Sequence, residues 1–320
     1  MDPTVLFKAC KLCPRECGIN RTNGPAGTGF CRLDHRLRVA FIGAHFGEEP
    51  LITGTRGSGT IFFSGCSLRC SICQNHQISR ENMGRITDIT ELSMETARMI
   101  ESQKVHNINY VTPDHFFPYA FLLTSFLREK GYGLPILYNL SGYQSVSMLK
   151  MAEDYADIYL PDYKYADSDL AGKISGCEDY PAVALDSIAE MVRQKGFLDS
   201  FATGSRTAGK GVLVRHLILP GKIKNSLDAL SSLFIEFGAG LPLSLMSQYY
   251  PVLPQEDGDL NRSVTRDEFD RIYSHALDLG FKNMFVQIPG GDARGDPGAD
   301  TGFLPDFSLK KPFKGKGPIC

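Results

Sequence analysis

Neither sign of charge predominates in this chain. Its 34 Lys and Arg stand against 36 Asp and Glu, a formal net charge of −2 with a pI of about 6.4. That excludes a broad electrostatic footprint for nucleic acid and leaves room only for a local basic groove. Long apolar runs are missing too. The richest stretch, YAFLLTSFL at Tyr119–Leu127, is interrupted by polar residues and too short to cross a bilayer. The first residues, MDPTVLFKAC, lack a basic segment followed by an apolar one, so no secretory signal is read there and a cytoplasmic location is expected. No internal repeat and no long linker is found. A glycine-rich segment, GTRGSGT at Gly54–Thr60, precedes a strand pattern instead of following one, and no Gly-Lys-Ser/Thr is present. Phosphate-loop and dinucleotide readings are therefore set aside.

Apolar material and cysteine are plentiful. The 320 residues are 42% hydrophobic, enough for one domain of barrel size or two ordinary ones, with a core that needs no staple. Nine cysteines are many for a cytoplasmic chain, where thiols stay reduced and clusters of them point to metal or catalysis rather than disulfides. Seven fall in two groups: Cys10, Cys13, Cys17 and Cys31, then Cys66, Cys70 and Cys73. Cys177 and Cys320 stand apart and read as ordinary free thiols.

Residues 1–45 read as a small, loop-dominated, cysteine-rich metal-binding module, with a short strand at Leu37–Ala44. From about Gly59 onward, short β-rich runs alternate with helical patterns. Strands are expected at Thr60–Ser64, Ile108–Thr112, Pro135–Asn139, Asp157–Pro161, Val212–Leu219, Leu243–Gln248 and Asn283–Ile288. Helices are expected at Glu91–Lys104, Phe116–Lys130, Asp186–Lys195, Ser226–Phe237 and Asp267–Leu279. About seven such units predict an α/β fold with parallel strands, a partial or full (β/α) barrel over 46–290, rather than an open doubly wound sheet. Residues 291–320, rich in Gly, Pro and charge, read as an extended C-terminal tail.

The triplet Cys66, Cys70 and Cys73, spaced C-x3-C-x2-C, follows directly after the strand pattern TIFFS, where a barrel carries its active-site loops. Thiolates are soft ligands for zinc, copper(I) or iron–sulfur clusters. A zinc site would need a fourth ligand, such as the nearby His76. A 4Fe–4S cube held by three thiolates keeps one iron corner open. The upstream four, C-x2-C-x3-C-x13-C, satisfy either a closed zinc site or a fully ligated iron–sulfur cluster.

The C-x3-C-x2-C loop resembles that of radical S-adenosylmethionine (SAM) enzymes. HFGEEP (His45–Pro50), GSGTIFFSGC (Gly57–Cys66), CQNHQIS (Cys73–Ser79), YNLSGY (Tyr138–Tyr143), DIYLPDYKY (Asp157–Tyr165), VRHLILPG (Val214–Gly221) and SLMSQYYP (Ser244–Pro251) look like the members named pyruvate formate-lyase-activating-enzyme-like. The resemblance covers about residues 10 to 290. It implies a barrel of radical SAM type whose 4Fe–4S cluster, on Cys66, Cys70 and Cys73, binds SAM at its open iron. Ile72 stands where such loops often carry an aromatic residue near the adenine. Thr112, with Pro113 and Asp114, replaces a glycine-rich motif that holds the SAM amino group. Asn139 and Ser141 come within reach of SAM hydroxyls or a cation. Asp162 and Lys164 resemble an Asp-x-Lys pair near SAM and a bound monovalent cation. Arg215 looks like an arginine at the SAM carboxylate, Leu217 would pack on the adenine, and Gln248 would lie near the ribose or adenine. His216, on the other side of the strand, reads as packing.

The activity so implied is reductive cleavage of SAM to a 5′-deoxyadenosyl radical and hydrogen abstraction from a substrate, with activation of a glycyl-radical protein as the leading expectation. The implied partners are a protein or peptide substrate and a low-potential electron donor such as flavodoxin or ferredoxin, with neither membrane nor nucleic acid. The N-terminal cysteines would add a zinc or an auxiliary cluster. Radical modification of another peptide or a small molecule is the rival enzyme reading. An iron–sulfur electron-transfer or scaffold protein without SAM chemistry is the rival from another class.

Overall fold

The structure, a computed structural model, describes residues 3–23, 29–290 and 304–313. Cys320 and most of the 291–320 tail lie outside the described residues.

Ten strands form among the described residues: β1 (Arg38–His45), β2 (Ser58–Phe63), β3 (Arg85–Ile86), β4 (Ile108–Val111), β5 (Ile136–Leu140), β6 (Ile158–Pro161), β7 (Gly211–Val212), β8 (Val214–Leu217), β9 (Leu243–Met246) and β10 (Met284–Val286). Every residue of β2, β4 and β6 is buried, as expected of parallel strands covered on both faces. The registers run Gly59 with Ile108, Ile108 with Ile136 and Leu137 with Ile158. The first sheet has the order β3-β1-β2-β4-β5-β6-β7 and the second β10-β9-β8. They are two halves of one curved surface. The sequence pattern Val212–Leu219 reads as a single strand, but the chain changes partner at Leu213. β7 pairs with β6, and β8 pairs with β9. The Leu213 N–H donates to the Tyr159 carbonyl (3.1 Å), and a bridge joins Asp162 to Arg215. Among the described residues no ladder closes β10 onto β1 or β2, so the barrel is partial.

Helices cover the outside of the sheet. Ile89–Gln103 starts at Asp88, whose carboxylate accepts from the Glu91 N–H (2.8 Å). Arg266–Leu279 starts on a reciprocal capping box between Thr265 and Glu268 and ends at Gly280 in the left-handed region. No helix among the described residues is long and apolar enough to cross a membrane.

β1 runs antiparallel to β2, with His45 opposite Ser58. The turn after β1 therefore passes the N-terminal end of β2, and Glu48 and Glu49, both buried, reach into the barrel. β1 lies within the segment 1–45 and belongs to the sheet. Of the preceding residues, the described ones hold a 3-10 turn, Pro3–Phe7, and loops. They do not stand apart from the core: Phe7, Leu12 and Leu33 are buried in the same apolar cluster as the barrel interior, and Phe7 packs on Tyr119 (5.6 Å). At the other end, residues 304–313 cross β1 and β2. Phe307 packs on Phe62 (5.3 Å), and Phe313 packs on both Phe62 (5.4 Å) and His45 (4.2 Å).

Candidate active site

The loop after β2 turns sharply. Gly65 adopts φ +88, and a Cβ there would collide with Leu33 from the N-terminal segment. Arg69, one residue before Cys70, is also left-handed at φ 54. These turns fold Cys66, Cys70 and Cys73 toward one another. Cys66 and Cys70 are buried and Cys73 is half-buried. Burial first, and then the neighbouring thiols, push Cys66 and Cys73 above the ordinary thiol range. The sulfurs accept hydrogen bonds from the Leu68 N–H at Cys66 (3.3 Å) and from the Ser175 hydroxyl at Cys70 (3.0 Å). Neighbouring buried sulfurs that receive donors suit thiolates neutralised by a metal. Among the described residues no three His, Cys, Asp or Glu side chains converge closely enough for a single metal ion. A four-iron cluster is larger than one ion and takes its thiolates at wider spacing. His76 joins no such group with the loop thiols, so the zinc site completed by His76 finds no support. The donor set fits an iron–sulfur cluster.

The three cysteines line a cavity of about 410 Å³, within the usual range for a small-molecule site. Ile72, Thr112, Asn139 and Ser141 line it as well, as do Asp162, Lys164, Arg215, Leu217 and Gln248. Asp162 and Lys164 form an ion pair. Burial pulls the Lys164 ammonium down, but Asp162, helped by Cys70 and Cys73, outweighs it and holds the group above its ordinary value. Thr112 sits at φ 54, an outlier for a β-branched residue, and its N–H donates to the Asn139 carbonyl (3.0 Å). The chain thus adopts, without glycine, a backbone that glycine takes freely. The Ser141 hydroxyl accepts from Gln144 (3.2 Å), and the Gln248 carbonyl oxygen accepts from Gln287 (3.3 Å). His216 faces away from the cavity, between the Tyr163 carbonyl (2.7 Å) and the Ser226 hydroxyl (2.9 Å).

Arg215 differs from its expected setting. Its fork is filled by Glu49 (2.8 and 2.6 Å), and Glu48 bonds the same terminal nitrogen. Glu48 also accepts from Asn109 (2.9 Å) and Asn139 (3.3 Å). Burial pushes the Glu48 carboxyl up, and Arg215 with His45 and Asn109 outweighs it, so the group stays below its usual range. Arg215 is held further up by the two glutamates despite its burial. The pair Glu48 and Glu49, and Phe313 in the cavity wall, were not foreseen as site residues. The signal for the glutamates was present: an arginine on an inward strand face needs a carboxylate, and Glu-Glu-Pro ends the segment after β1.

The N-terminal cysteines lie behind the loop, outside the cavity lining. Arg15 ties the two regions together, donating to the carbonyls of Ser67 (3.0 Å), Ser175 (2.7 Å) and Gly176 while stacked on Phe30 (3.7 Å). Cys177 is buried beside Cys70 and Arg15.

No family model matches the chain. Over 291 residues, 87% of this chain and 75% of the other, it is 27% identical to the uncharacterized protein MJ0674 of Methanocaldococcus jannaschii. Among solved structures it is similar to methylornithine synthase (PylB), with a TM-score of 0.47 and 17% identity over 72% of this chain and 63% of that one. It is also similar to Streptococcus suis SuiB bound to S-adenosylmethionine, with a TM-score of 0.44 and 11% identity over 72% of this chain and 46% of that one. The chain spans less than two thirds of the length of either structure.

Proposed function

We propose that this chain is a radical SAM enzyme that abstracts a hydrogen atom from a protein or peptide substrate. One observation carries the reading: the three loop thiols share the wall of a single cavity with every other residue to which the loop resemblance gives a part in SAM binding. Cys66, Cys70 and Cys73 would hold a 4Fe–4S cluster through three corners. When bound, the cluster and SAM supply the chemistry, reductive cleavage to methionine and a 5′-deoxyadenosyl radical.

The remaining tasks fall to the chain. Ile72 and Leu217 offer apolar surface for an adenine. Arg215 is engaged by Glu48 and Glu49, so Lys164 is well placed to meet a carboxylate: Asp162 takes one of its three donors and keeps it charged. Thr112 and Asn139 present polar groups where an amine or hydroxyl would sit. Phe62, Leu68, Ile78 and Phe313 make the wall apolar, which suits a radical that attacks any nearby donor. A low-potential donor of the flavodoxin or ferredoxin kind is the partner this chemistry requires.

The leading finer reading is activation of a glycyl-radical protein, supported by the motif resemblance. Modification of a different peptide or small molecule is favoured instead by the Thr112-Pro113-Asp114 sequence that replaces the glycine-rich motif. Anaerobically reconstituted protein given dithionite and SAM is expected to release 5′-deoxyadenosine. A protein that holds its cluster and leaves SAM intact would be an electron carrier or scaffold, and the proposal would fall. Incubation with glycyl-radical proteins separates the finer readings: an EPR doublet supports activation, and turnover without one supports the rival.

A further inference from the structure

Behind the loop, the N-terminal segment buries a positive charge that no carboxylate among the described residues pairs with. Arg21 is 1% exposed. Its nitrogens donate to the carbonyls of Leu33 (3.1 Å), His115 (2.8 Å) and Asp34 (2.8 Å), and its guanidinium lies over Phe7 (4.8 Å) and Phe116 (5.5 Å). Carbonyls and rings satisfy its N–H groups without cancelling the charge, and a buried cation without an anion is costly. Among the described residues its hydrogen bonds and ion pairs include no carboxylate. They do include the Cys10 sulfur, 3.7 Å away.

That sulfur is one of four. Cys31 lies within electrostatic reach of Cys10, Cys17 and Arg21, and Cys13 within reach of Cys10 and Cys31. The amides of Arg15 and Leu33 are directed at Cys13 and Cys31. The wrap is fixed by the Cys10 N–H on the Ile19 carbonyl (2.9 Å) and the Gly18 N–H on the Cys10 carbonyl (3.0 Å), with Glu16 and Arg32 left-handed beside Cys17 and Cys31. Asp114, from the barrel, brings a buried Oδ2 with no partner near Cys13. Among the described residues these sulfurs, like those of the loop, form no group that could hold a single metal ion.

We propose that Cys10, Cys13, Cys17 and Cys31 hold a second iron–sulfur cluster, ligated by protein throughout, with Arg21 as its buried counter-charge. The C-x2-C-x3-C-x13-C spacing lacks the two C-x2-C pairs of a zinc ribbon. Amide donors and a buried cation are what a cluster that accepts an electron uses to stabilise its added negative charge. The site is independent of SAM and stands whether or not the loop performs radical chemistry.

The test is metal and sulfide content after anaerobic reconstitution of the full chain. Wild type is expected to hold about eight iron. A Cys66→Ala/Cys70→Ala/Cys73→Ala variant is expected to keep about four iron with four sulfide, and a variant with Ala at all four N-terminal cysteines to lose that share. Two iron and two sulfide in the triple variant would also support the assignment, as a smaller cluster. One zinc with no iron, or no metal, would overturn it. If the triple variant does not fold, wild type decides: about eight iron supports the second cluster, and about four, unchanged by the N-terminal substitutions, removes it. In an EPR-monitored redox titration of the triple variant, adding Arg21→Met should move the midpoint to more negative potential and Arg21→Lys should restore it. An unmoved midpoint would remove Arg21 from the proposal. The metal count needs no change at Arg21, so it decides the site even where Arg21→Met does not fold.

Discussion

Two cysteine sets sit back to back in this chain, and they are built differently. The loop set has three thiols facing a cavity of about 410 Å³, with Lys164 and Asp162 across the space. The N-terminal set has four thiols, of which Cys10 meets a buried arginine, and none of them lines that cavity. One arrangement opens onto room for a ligand, and the other lies outside that cavity. Ligand count and open space change together, which is the expected difference between a site that reacts and a site that stores or relays charge.

The sharpest way to break this comparison is to remove a thiol from each set. Cys70→Ala is expected to abolish release of 5′-deoxyadenosine, whereas Cys17→Ala should leave part of it. Equal loss in both, measured by chromatography of the product, would end the distinction. Next in size is Arg215→Met. It strands Glu48 and Glu49 inside the barrel and should cost about 3–5 kcal/mol in chemical denaturation, whereas Arg36→Met, at an exposed arginine paired with Asp34, should cost far less. Arg15→Met tests the seam between the two sets. Loss of its carbonyl bonds and its stacking on Phe30 should lower stability by about 2 kcal/mol and make iron in both sets more easily lost to a chelator.

Two smaller effects complete the series. Thr112→Gly relieves a left-handed β-branched residue on the open site and is expected to raise stability by about 1 kcal/mol, with SAM affinity measured alongside. Glu268 is remote from both sets and serves as a reference. Arg262 first, then the Thr265 and Gly221 amides, hold its carboxyl down to about 2. Because the folded value lies below the unfolded one, its stabilisation is complete above the ordinary glutamate range and is lost as pH falls toward about 2. Glu268→Gln should flatten that limb of the stability–pH curve by about 1 kcal/mol, with no effect on either cysteine set.

Much of this was legible in the sequence, for reasons that can be named. The buried strands β2, β4, β5 and β6 read clearly because continuous apolar runs of that length form covered parallel strands. Helix Arg266–Leu279 read clearly because its apolar stripe falls at helical spacing. The partner change at Leu213 was hidden, since hydrophobic pattern carries no information on which neighbour a strand pairs with. Short helices such as Val146–Ala152 and Ser168–Ser175 were missed, being too short for periodicity to show. At the site, spacing found the cysteines, the family resemblance pointed to Asp162 and Lys164, and strand alternation put those two on one face. Glu48, Glu49 and Phe313 come from segments distant in the chain, and only the antiparallel β1 and the crossing of 304–313 bring them to the cavity.

Phe313 bears on how the protein is handled. It is far in sequence from the cysteine loop yet forms part of the cavity wall, packed against His45 and Phe62. Removing residues 304–313 is thus expected to take Phe313 out of that wall and let solvent and oxygen reach the loop cysteines.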